Sequence, residues 1–140
     1  MRTKTIEETL PTLPELSDAQ ADALYAAGHK LYQVDKFRRA ADVFRLLALA
    51  RPLRGDAWWA LAACHEQLDD FAVAARLYSI GFRLGGQEAQ LGLLCARARA
   101  RAGDLQGARA MLDEVIEVDP SRETLELARA YGSAFCGVWS

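Results

Sequence analysis

The stretch DAWWALAACHEQLDDFAVAARLYSIGFRL, Asp56 to Leu84, decides how this chain folds. It reads as two amphipathic helices joined at Leu68-Asp69-Asp70. In the first, Trp58, Leu61, Ala62 and His65 fall at i, i+3, i+4 and i+7, the spacing that gathers four side chains on one helical face. Phe71, Ala74, Ala75 and Tyr78 do the same in the second. A lone hairpin cannot bury both stripes, so the pattern requires similar units to stack against it.

Those units emerge when the sequence is offset against itself by 34 residues. Leu24, Trp58 and Gly92 coincide, as do Gly28, Ala62 and Ala96, then Phe37, Phe71 and Leu105. Ala40, Ala74 and Ala108 follow, then Phe44, Tyr78 and Leu112. A small residue at 28, 62 and 96 lets two helices approach, and an aromatic or leucine at 44, 78 and 112 fills the space beside the alanine. Asp35, Asp69 and Gly103 share a turn position. Pro52 and Pro120 stop the last helix of the first and third copies, and Gly86 does so in the second. The period and pattern are those of tetratricopeptide repeats. The expected fold is all-α, three tandem helix-turn-helix repeats in a right-handed superhelix with a C-terminal capping helix.

The boundaries follow from helix signals. Residues 1–16, with Pro11 and Pro14, read as an extended arm ahead of one domain over 17–140. Ser17-x-x-Gln20 is a capping box that opens the first helix. Helices are expected near 18–33, 37–50, 55–68, 71–84, 87–101, 105–117 and 122–135, grouped as repeats 21–54, 55–88 and 89–121 plus a cap over 122–135. Asp35, Asp70 and Asp104 are placed to favour the positive ends of second helices. In the cap, Leu127, Tyr131 and Ala134 form the stripe expected to cover the last repeat, leaving Glu123, Glu126 and Arg129 to water. The apolar tail Phe135 to Ser140 is expected to fold back on the third repeat; a contact with another chain is the alternative.

Composition narrows the functions. In 140 residues, 51% hydrophobic, no apolar run approaches the ~18 to 20 residues that cross a bilayer, so no stable membrane insertion is expected. Glu7, Glu8, Glu15 and Asp18 interrupt the start, where a secretory signal would need an apolar run, so the expected location is cytoplasmic. A net charge of −2 argues against a nucleic-acid partner, which needs clustered, uncompensated Lys and Arg. Cys64, Cys95 and Cys136, odd in number and widely spaced, read as reduced thiols.

No constellation for catalysis is evident. Cys64 and His65 are adjacent on a helix and point ~100° apart, so they cannot act as a pair. His65 shares the stripe of Trp58 and Leu61 and reads as a packed histidine, with no second ligand at metal spacing. Neither phosphate-binding glycine motif is present. The chain is expected to be no enzyme and to need no cofactor or metal.

A second set of positions lies one step round the first helix of each repeat. At the same offset Tyr25, Trp59 and Leu93 correspond, then His29, Ala63 and Arg97, then Tyr32, Glu66 and Ala100. Tyr25, His29 and Tyr32 form a stripe beside the packing stripe Leu24, Ala27, Gly28 and Leu31. One apolar face suffices to hold a helix, so surplus aromatics suggest a surface kept for a ligand; coverage by the arm or by another subunit is the plainer account. The expected groove comprises Tyr25, His29, Tyr32, Trp59, Ala63, Glu66 and Leu93, with Arg97 and Arg101 adding a positive rim.

Leu24-Tyr25, Tyr32-Gln33, Lys36-Phe37, Ala40, Val43-Phe44, Leu61-Ala62-Ala63-Cys64, Phe71, Ala74 and Tyr78-Ser79 carry a family resemblance over residues 17–120. The chain resembles the class II, tetratricopeptide chaperones of bacterial type III secretion. That resemblance implies a concave groove receiving an extended segment of a secreted translocator protein, with a P-x-L-x-P-like core, on aromatic positions matched by Tyr25, Tyr32 and Trp59. His29 stands where the family tends to have a larger aromatic. It leaves open a monomer or a homodimer. Two alternatives keep the fold: an adaptor binding another small type III secretion component, or a generic tetratricopeptide interaction module.

Overall fold

Each helical hairpin turns on one residue with left-handed backbone: Asp35 at φ 61°, Asp69 at 60° and Gly103 at 88°. These are the three turn positions related by the repeat, and aspartate and glycine are the residues that enter this region at low cost. The computed structural model describes residues 15–136 and contains no strand among them. Its helices are α1 (Asp18–Gln33), α2 (Phe37–Ala50), α3 (Gly55–Gln67), α4 (Phe71–Leu84), α5 (Ala89–Arg101), α6 (Leu105–Val118) and α7 (Arg122–Tyr131), the last running into a π-helical turn, Gly132–Cys136.

The caps explain where helices begin. Ser17 N donates to Gln20 Oε1 at 2.9 Å and Ser17 Oγ accepts from Gln20 N at 3.1 Å, completing the capping box of α1. Asp104 Oδ1 accepts from Gly107 N at 2.9 Å at the start of α6. Asp35 does not play this part: Lys36 is the cap of α2, because the repeat aligns Asp35 with the turn residues and Lys36 with Asp70 and Asp104.

Successive helices pack as three hairpins, α1/α2, α3/α4 and α5/α6, each hairpin also resting on the next. The register positions are the core. Ala40, Ala74 and Ala108 are fully buried, as are Phe44, Tyr78 and Leu112, and each large side chain so buried contributes roughly 2 kcal/mol. At Gly28 an added Cβ would lie 2.7 Å from the Phe44 ring, and at Gly92 it would lie 2.2 Å from Val115 Cγ2, so hydrogen alone fits between these helices.

The capping helix lies on both α5 and α6, but with a different stripe from the expected one. Thr124 and Ala128 are buried and Tyr131 half-buried, whereas Leu127 and Ala134 are exposed. The helix is anchored at its start, where Ser121 Oγ accepts from Thr124 N and Thr124 Oγ1 donates to Asp119 Oδ2 at 2.6 Å. That anchor turns Thr124 inward, and Ala128 and Tyr131 follow at i+4 and i+7. Of the expected arm, Glu15 and Leu16 are described: Leu16 packs on the first repeat and its carbonyl accepts from Arg51 Nη2. Residues 1–14 and the tail beyond Cys136 lie outside the described residues.

Candidate functional site

Trp58 and Trp59 are neighbours in α3 and point ~100° apart, which divides core from surface. Trp58 is buried and its Nε1 donates to Pro52 O at 2.8 Å. Trp59 is 37% exposed and faces a cavity of about 410 Å³. Tyr25, His29 and Tyr32 from α1 form one wall, and Asp56, Trp59, Ala60 and Ala63 from α3 the other, with Phe44 of α2 at the floor.

The aromatic side chains are held rather than loose. Tyr25 packs against Phe44 with ring centroids 5.6 Å apart, and the His29 ring lies nearly parallel to it at 6.4 Å. Arg54 covers the Tyr25 ring at 5.3 Å while its Nη1 donates to Asp22 Oδ1 at 2.9 Å and its Nε to Asp56 Oδ1 at 2.7 Å. The two carboxylates raise the pKa of this guanidinium. Tyr32 meets Phe37 edge to face at 5.1 Å, and its hydroxyl accepts from Gln67 Nε2 at 3.2 Å. Fixed rings of this kind lose little freedom when a ligand docks.

Five expected positions, Tyr25, His29, Tyr32, Trp59 and Ala63, therefore line one cavity. Three lining residues escaped the sequence reading. Asp56 and Ala60 lie on the same face of α3 as Trp59 and Ala63, and extending that stripe one turn backward would have found them. Phe44 reads as core, and it reaches the floor of the groove because Gly28 has no side chain to cover it.

The third repeat departs from expectation. Leu93 is 1% exposed and belongs to the core, because α7 and the turn after it pack on α5 where an open wall was expected. Arg97 and Arg101 are not a free positive rim: Arg97 Nη2 donates to Glu66 Oε2 at 3.0 Å and Arg101 Nη1 to the same oxygen at 3.3 Å. Glu66, whose side chain is 8% exposed, is thus a counter-ion more than a groove surface. Burial, together with the Glu66 carboxylate, raises the Tyr78 phenol well above its ordinary range. Two guanidinium groups share one carboxylate, and Arg97 Nε is buried with no hydrogen-bond partner among the described residues. The Arg101 guanidinium also lies 5.7 Å from both the Phe71 and Phe135 rings, which ties α5, α4 and the C-terminal turn together.

His65 Nδ1 sits 3.4 Å from Asp70 Oδ2 beside the core. Cys64 and Cys95 are buried free thiols, and Cys95 Sγ donates to Ala75 O at 3.3 Å. Burial pushes both thiols up to about 11. Among the described residues no His, Cys, Asp and Glu cluster is arranged to hold a metal ion, and no helix is long and apolar enough to cross a membrane.

No family model and no curated protein matches the sequence. Solved structures do. PcrH from Pseudomonas aeruginosa superposes at a TM-score of 0.75 with 25% identity, covering 94% of this chain and 100% of that one. PcrH in complex with the chaperone binding region of PopD gives 0.74 and 25%, over 91% and 96% of the two chains. The Yersinia enterocolitica type III secretion chaperone SycD, in complex with a peptide of the translocator YopD, gives 0.74 at 23%, covering 90% and 96%. The first tetratricopeptide domain of Spaghetti (RPAP3), bound to an HSP90 peptide, shares the fold at 0.68 and 21%, covering 86% and 96%.

Proposed function

We propose that this chain, which resembles the translocator chaperones of type III secretion over most of its length, holds an extended apolar segment of a secreted translocator in the groove between α1 and α3. The observation that carries the reading is the cavity walled by Tyr25, Tyr32 and Trp59 above Phe44. PcrH, at 25% identity, has been seen with the chaperone binding region of PopD. Proline and leucine side chains suit such a cavity, because a proline-bearing segment is already extended and loses little entropy on docking among rings. Segments built to enter membranes aggregate when free, and a chaperone in the cytoplasm would keep them dispersed through contacts that export machinery can replace.

The test is calorimetric titration of the full chain with a synthetic peptide carrying a Pro-x-Leu-x-Pro core. Saturable binding that is lost when Trp59 is truncated supports the reading. A fully folded chain that ignores the peptide overturns it, and preference for a helical export component would move the assignment to an adaptor.

A further inference from the structure

The two ends of α3, the helix that carries Trp59, bear ion clusters of opposite composition. Where α1 and α3 begin, one guanidinium, Arg54, serves two carboxylates, Asp22 and Asp56. Two negative charges against one positive leave −1. The carboxylate side chains are 73% and 45% exposed, while Arg54 is 26% exposed and drawn in over the Tyr25 ring. The neighbouring Arg51–Asp18 pair is neutral in sum.

Where α3 and α5 end, the arrangement inverts. One carboxylate, Glu66, serves Arg97 and Arg101, leaving +1, and here the minority ion is again the buried one. The guanidinium side chains stand 24% and 40% exposed against 8% for Glu66. At one end Asp22 and Asp56 stand outward, and at the other the more exposed guanidinium, Arg101, does.

The spacing fits a short segment. Asp56 and Glu66 are ten residues apart on one helix, or about 15 Å at 1.5 Å per residue. Trp59 and Ala63 occupy the apolar interval between them. An extended chain advances ~3.3 Å per residue, so four or five residues span that interval.

Resting on the docking reading above, we propose that the groove carries a charge polarity that selects and orients its occupant: an apolar core of about five residues, with a basic residue facing Asp22 and Asp56 and an acidic residue facing Arg97 and Arg101. Apolar contact supplies the hold. The flanking charges fix the direction in which the segment lies, and the wrong direction sets like charges against each other at both ends.

Three capped synthetic peptides on the core Pro-Ser-Leu-Ser-Pro test this against the full chain in low-salt buffer: Lys-core-Glu, Lys-core-Lys, which sets a like charge against one end, and Gln-core-Gln. The mixed-charge peptide is expected to bind at least about threefold more tightly than either of the other two. The gap should shrink in high salt, where the Debye length falls to ~3 Å, and should close in the Asp22→Asn, Arg101→Gln double variant, which leaves each cluster neutral and must still bind the neutral peptide. Equal affinity for the mixed-charge and neutral peptides overturns the polarity and leaves the docking reading standing. Binding of none of the three, with helical content intact, overturns both.

Discussion

Asp35 and Asp69 hold the same left-handed backbone, φ 61° and 60°, at equivalent points of consecutive hairpins, where the third repeat has Gly103 at φ 88°. The geometry belongs to the turn and not to the residue. Removing the side chain where it is strained should help, so Asp69→Gly is expected to stabilise by roughly 0.5 kcal/mol and Gly103→Val to destabilise by about 1 to 2 kcal/mol. Urea midpoints at constant m-value decide it; equal effects in the same direction would refute it.

Close helix contacts leave no room for a side chain at Gly92. Its absent Cβ would lie 2.2 Å from Val115 Cγ2 and 3.3 Å from the Phe82 ring. Gly92→Ala should cost ~2 kcal/mol by overpacking, despite alanine's better helix propensity. Val115→Ala in the same chain should recover part of that loss, a positive coupling read from the double-mutant cycle.

The buried thiols predict an alkaline limit to stability. Cys64 and Cys95 rise from 9.0 to about 11 on folding because burial disfavours the thiolate. The unfolded chain then gives up protons first, so this contribution is whole below pH 9 and is lost as pH rises through about 11. Cys95→Ala should show a smaller fall in urea midpoint between pH 8.5 and 10.5 than the parent, and native Cys95 should resist alkylation at pH 8.

Glu66 is the junction of the far end of the groove. Glu66→Gln leaves Arg97 and Arg101 side by side with no counter-ion, an arrangement expected to cost about 3 kcal/mol in thermal or urea unfolding. Pairing it with Arg97→Met should cost less than the single change, since the cost comes from stranded positive charge.

In the groove itself, Tyr32→Ala and Trp59→Ala should each weaken a Pro-x-Leu-x-Pro peptide by ~2 kcal/mol, about thirtyfold, with unfolding midpoints nearly unchanged for Trp59→Ala because that ring is partly solvent-facing. Tyr32→Ala should also cost some stability, because it loses Phe37 and Gln67. A peptide affinity indifferent to Trp59 would place binding elsewhere.

The 34-residue offset made most of the architecture readable, because the packing of one hairpin on the next needs a small residue opposite a large one at fixed positions in every copy. Gly28 against Phe44 and the alanines at 40, 74 and 108 met that demand. The stripe Tyr25, His29 and Tyr32 was legible for the related reason that it exceeded what packing requires. The burial of Leu93 and the pairing of Arg97 and Arg101 with Glu66 were not legible, because register says which face a residue occupies and nothing of what comes to meet it there.

What the amino-acid order determined alone was local and periodic: helix starts, hairpin turns, and which side chains share a face, all set by backbone geometry within a few residues. What the tertiary structure decided was closure. The inward turn of Thr124 put α7 and the following turn on the third repeat, and Glu66 drew two arginines from a neighbouring helix onto one carboxylate. The Glu66 pairs join residues 31 and 35 apart, and although the Thr124 anchor is local, the seat of α7 depends on the angle at which the helix comes to rest on α5 and α6. The Glu66 pairs form only after the chain has folded back on itself, and the aromatic cavity is accordingly walled by the first two repeats while Leu93 of the third lies in the core.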